Sequence, residues 1–133
     1  MRTYFFAILT QRRKQERGWL SVPDMDRLIR FSFAEVQPEE LARSWADRIT
    51  RHSSAAFGSP LTYAGYKDVP SSYLKTALDR LVTPATQQAS INVIEKATGN
   101  KVDVTTIQTG HIPFIMALDE VVAWLEKVVK QSS

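Results

Sequence analysis

The chain has 133 residues, 44% of them apolar, with 17 basic against 14 acidic side chains and no cysteine, which suits one globular domain burying roughly two thirds of its unfolded surface. Without cysteine there is no disulfide framework, thiolate nucleophile or zinc ribbon, and two separated histidines, His52 and His111, argue against a metal cage. The net charge of +3 gathers in Arg12, Arg13, Lys14 and Arg17 with no interleaved aromatics, which reads as a solvated segment; no nucleic acid, membrane, metal or cofactor is expected as a partner.

Residues 1–17 differ from the rest, an apolar run "YFFAIL" followed by "QRRKQER". The run is shorter than a signal-peptide core and has no small-residue cleavage site after it, so neither a secretion signal nor a membrane span is expected, and a cytoplasmic location follows. Residues 18–57 have helical spacing: Val22, Met25, Leu28 and Ile29 recur at three- and four-residue intervals, as do Leu41, Trp45 and Ile49. Pro38 suits the first position of the second of these helices, and Glu39 with Glu40 complements the positive end of its dipole. His52 then falls at the end of that helical region, where it can meet terminal carbonyls.

From residue 58 onward the pattern changes. Gly58, Pro60, Gly65 and Pro70 punctuate a loop that carries Tyr63 and Tyr66. "SYLKTAL", residues 72–78, reads as a short strand ending at Asp79. Thr83 and Pro84 supply an N-cap and first helical residue, and Gly99 the matching stop. The β-branched run "KVDVTTI" reads as a second strand. Asp119 caps a last helix whose Val121, Trp124, Leu125 and Val128 form one apolar stripe. Strand, helix, strand, helix implies an α/β fold with a parallel strand pair. In such sheets ligands bind beyond the carboxyl ends of the strands, where Asp79 and His111 both fall.

The segments "YLKTALDRLVTPATQQ" and "TGHIPFIMALDEV" resemble the last two loops of an α/β-hydrolase, on the esterase-like branch with plant methylesterases of the salicylic-acid-binding type and fungal hydrolases of secondary metabolism. The matching positions are Asp79, Val82 and Pro84 after one strand, and Gly110, His111, Pro113 and Phe114 after the next. "SPLTYAGYKDVPSSYL" is similar to the passage from that family's helical cap back into its sheet. The resemblance implies a partial α/β-hydrolase fold: an atypical segment over 1–17, a cap-like region over 18–57, and the later part of the hydrolase core over 58–133. It also implies His111 as catalytic base and Asp79 as the acid that orients it, with Phe31, Phe33, Trp45 and Phe57 partly lining a pocket for a small apolar ester or polyketide-like substrate; their helical spacing is explained equally by packing against the sheet, and core is the favoured reading of the two.

One member of the family's triad has no counterpart. No G-x-S-x-G elbow occurs in the 133 residues, and Ser53, Ser54, Ser59, Ser71 and Ser72 lack the flanking glycines that such an elbow needs. The expectation is an ester hydrolase by ancestry, with little acyl transfer from this chain by itself. Two alternatives stand beside it. One is a non-catalytic interaction module whose exposed sheet is covered by a second copy or another protein; the other is a lyase or cyclase that uses His111 and Asp79 as a general-base pair.

Overall fold

The computed structural model describes residues 18–131, apart from Ser21, Pro23 and Ser54 and the side chains of Leu20 and Phe57. The basic segment over 1–17 therefore lies outside the described residues. Two short strands tie the ends of the helical region together: β1 (Trp19–Leu20) runs antiparallel to β2 (His52–Ser53), with Trp19 opposite Ser53 and Leu20 opposite His52.

Between them lie α1 (Met25–Ser32) and α2 (Glu39–Ala46). Asp24 starts α1 by accepting the Arg27 N–H at 2.9 Å, which satisfies one of the donors a helix start leaves open. Glu39 and Glu40 occupy the first turn of α2, as their charge favours, while Pro38 is the capping residue just before the helix. Phe33, Val36, Ala42 and Ala46 are buried together, and Met25, Leu28 and Ile29 pack on them. Ile112 and Ile115 complete this cluster from the far side of the chain, so the helical hairpin rests on the segment that follows His111.

A short helix α3 (Ala55–Gly58) and a 3-10 turn over Gly65–Lys67 lead into the sheet. Here β3 (Ser72–Thr76) and β4 (Asp103–Ile107) pair in parallel, with Ser72 opposite Asp103 and Thr76 opposite Ile107. Parallel strands cannot be joined by a tight turn, and the connection is the 15-residue helix α4 (Pro84–Thr98). Thr83 accepts the Thr86 N–H at its start, and Gly99 ends it with φ 72°, a left-handed conformation that costs other residues more than glycine. Beyond the turn, Glu95 accepts the Val102 N–H at 3.2 Å and leads the chain into β4. Buried Ile91, Val102, Ile107 and Val121 form the apolar interior here. The chain closes with α5 (Pro113–Met116) and α6 (Leu118–Gln131).

The mixed, parallel-paired architecture agrees with the α/β expectation, while several local expectations need correction; the second strand of the pair begins at Asp103, two residues late. The first strand stops at Thr76, two residues early, because the chain turns at Ala77 and Leu78, whose N–H groups donate to the Ile107 and Thr109 carbonyls. Asp119 lies inside α6, which begins at Leu118. Leu125 is exposed while Val121 is buried and Trp124 and Val128 are half-buried, since residue 125 lies at the edge of the face that 121, 124 and 128 define. His52 is six residues beyond the end of α2, exposed on β2, where its Nδ1 lies 3.0 Å from the Ser53 carbonyl oxygen.

Candidate active site

The loops after β3 and β4 converge because the strands are parallel and adjacent in register, so their carboxyl ends lie side by side. His111 Nδ1 is 3.0 Å from Asp79 Oδ2, across 32 residues of sequence. Asp79 is buried, 6% exposed, and its carboxylate is held from several directions. Its Oδ1 accepts the N–H groups of Leu81 and Val82, both at 2.8 Å, and its Oδ2 also accepts from the Thr76 hydroxyl at 3.3 Å. The tight turn of "ALDRLV" therefore wraps its backbone donors around one oxygen and leaves the other for the imidazole.

Burial acts to raise the Asp79 pKa. Hydrogen bonds from His111, Val82 and Leu81, together with the His111 charge, outweigh it, so the carboxyl is held below its ordinary value. An ionised carboxylate only accepts, so Nδ1 of His111 must carry the proton. Nε2 is then the basic nitrogen, and among the described residues no hydrogen bond occupies it.

A cavity of about 320 Å³ opens at the dyad, walled in part by Tyr73, Val82, Phe114, Val121 and Trp124 as well as by His111 and Asp79. Burial, and after it the charge of Asp79, raises the Tyr73 pKa, so this hydroxyl stays protonated at neutral pH. The lining is mostly apolar with a few polar groups, the usual make-up of a small-molecule site. No serine is among the lining residues.

Phe31, Phe33 and Trp45 are not among them either. Phe33 is buried in the hairpin core, the Arg27 guanidinium lies over the half-buried Phe31 ring, and Arg48 lies over an exposed Trp45. The Phe57 side chain lies outside the described residues. Helical spacing identifies an apolar face without saying what that face meets, and the core claimed Phe33.

Sequence patterning passed over Gln87. It is 2% exposed, accepts the Thr76 N–H at 2.9 Å, and donates to the Thr76 carbonyl at 2.9 Å and the Val82 carbonyl at 2.7 Å. Gln87 thus bridges the end of β3 to the Asp79 turn, holding both sides of the acid. A signal for it exists in the sequence: residue 87 is four before buried Ile91 on the same helical face, where an apolar residue would be the ordinary choice. Three groups of His, Cys, Asp or Glu never gather as a metal site among the described residues.

No family model matches the chain. The chain is similar to "Probable hydrolase R7" of Phoma sp. (strain ATCC 20986 / MF5453), with 40% identity over 74 residues. That match covers 56% of this chain and 30% of the relative's length, so the likeness supports a hydrolase at the coarse level. No helix among the described residues is long and apolar enough to cross a membrane.

Proposed function

We propose that this chain supplies the base and orienting-acid half of an α/β-hydrolase site that cleaves carboxylic esters, with His111 as the general base and Asp79 as the carboxylate that fixes its tautomer. The observation that carries this reading is the 3.0 Å contact between His111 Nδ1 and a buried Asp79 already clamped by two backbone N–H groups. The likeness to a hydrolase from Phoma adds to it.

In this reading Nε2 of His111 takes the proton of an attacking hydroxyl, and the imidazolium that forms is stabilised by Asp79. The proton later returns to the leaving alkoxide. The mostly apolar cavity suits a small apolar ester or a polyketide-like substrate, and His111 and Asp79 lie in its wall. Because no G-x-S-x-G occurs in these 133 residues, the hydroxyl that this chain can activate by itself is that of water, without the covalent step of a full triad.

Hydrolysis of a p-nitrophenyl ester tests this. The expected result is a slow rate that His111→Ala removes and a fluorophosphonate leaves unchanged. Full activity in His111→Ala, or one stoichiometrically labelled serine, would contradict it.

A second reading is favoured by a different observation. The outer edge of β3 has no strand partner among the described residues, and Leu118, Val122 and Leu125 are exposed along one side of α6. An interaction module would cover those surfaces with a second copy or another protein.

A further inference from the structure

We propose that Glu35 is a positioning residue for His111: from the turn between α1 and α2 its carboxylate seats against Gly110 and pairs with Arg80, bracing the two loops that carry base and acid. The inference rests on the reading of Asp79 and His111 as a base dyad.

Three observations converge on it. Gly110 is buried directly before His111, and a Cβ placed there would overlap the Glu35 carboxylate, with Glu35 Cδ at 3.0 Å from that position. Gly110 does not adopt positive φ, so its backbone conformation does not call for glycine, and the space given to Glu35 is what the missing side chain provides. The other Glu35 oxygen lies 3.6 Å from Arg80 Nη2, and Arg80 adjoins Asp79 as Gly110 adjoins His111. One side chain, three-quarters buried, thus touches the neighbour of each dyad member.

Magnitudes decide which contact matters more. An ion pair at 3.6 Å with a mostly exposed arginine is screened by solvent and too weak to place an imidazole. The seat on Gly110 is a packing constraint, and the hairpin that delivers Glu35 is itself anchored by Ile112 and Ile115 just after His111. The helical region therefore grips the base loop on both sides of His111, with a carboxylate at residue 110 and with apolar packing at residue 112.

The test is the tautomer of His111, read from its two ring-nitrogen shifts by ¹⁵N NMR at alkaline pH on the whole chain. Wild type is expected to show a dominant Nδ1–H form. Glu35→Ala is expected to replace it by a mixture with Nε2–H while far-UV circular dichroism stays unchanged, and Glu35→Gln, which can still fill the seat, is expected to retain it.

Gly110→Ala provides an independent arm, because its methyl group displaces the flexible end of Glu35 and leaves Glu35 in the chain. It should give the mixture even if Glu35→Ala does not fold. A dominant Nδ1–H form in both Glu35→Ala and Gly110→Ala would overturn the role of Glu35 alone, and so would a loss in Glu35→Gln as complete as in Glu35→Ala. A wild type with no dominant Nδ1–H form would overturn the dyad reading itself.

Discussion

The two oxygens of Asp79 have separate tasks, and the separation has a measurable consequence. Oδ1 is committed to the Leu81 and Val82 N–H groups, while Oδ2 serves His111 and Thr76. Because the folded state holds this carboxyl below its unfolded pKa of about 3.9, ionised Asp79 contributes stability that is fully present above that value. The contribution is lost as pH falls through the folded value. Acid unfolding followed by circular dichroism should therefore show a steep limb below about pH 4 that is flatter in Asp79→Asn; identical limbs would mean the carboxylate is not held this way. Gln87 lends itself to a companion experiment. Gln87→Leu fills the same space but leaves the Thr76 and Val82 backbone groups unpaired, at a cost of about 1–3 kcal/mol per stranded group, and denaturant unfolding would measure it. A change below about 0.5 kcal/mol would show that water replaces the amide.

At the scale of elements, helix α4 carries its own punctuation. Thr83, Pro84 and Gly99 mark its bounds by local chemistry, and its limits at Pro84 and Thr98 follow. Gly99→Ala should lower stability by about 1 kcal/mol, since φ 72° is strained for any Cβ even with open space around it; an unchanged thermal midpoint would count against that. The two parallel strands were legible as well, β4 from its β-branched run and β3 with an end two residues too late, and a parallel order puts Asp79 and His111 at the same end of the sheet. What the sequence concealed was tertiary. β1 and β2 are two residues each and pair across about thirty residues, too short for any periodicity to register. Gln87 is polar on a buried face, and Glu35 reaches Gly110 across the fold, contacts set by which surfaces meet and not by spacing along a chain. The apolar character of Phe33 is plain in the sequence, but whether it faces a cavity or a core depends on how the hairpin docks on Ile112 and Ile115.

The whole molecule presents apolar surface that a lone domain ordinarily covers. Leu118, Val122 and Leu125 lie along one side of α6, Val104 is exposed on β4, and the outer edge of β3 is unpaired among the described residues. Expressed by itself the chain is expected to self-associate or to melt without a sharp transition. Light scattering that gave a compact monomer, with one cooperative melt, would overturn that expectation. The central claim is that His111, oriented by Asp79, takes a proton from a hydroxyl in the adjoining cavity. Its most direct test supplies the hydroxyl from solution. p-Nitrophenyl butyrate is incubated with the chain and increasing methanol, and the methyl butyrate formed is measured. Ester exchange should rise with methanol in the wild type, fall roughly 10²-fold in Asp79→Asn, and drop to the buffer rate in His111→Ala. Equal exchange by all three proteins would contradict a base at His111.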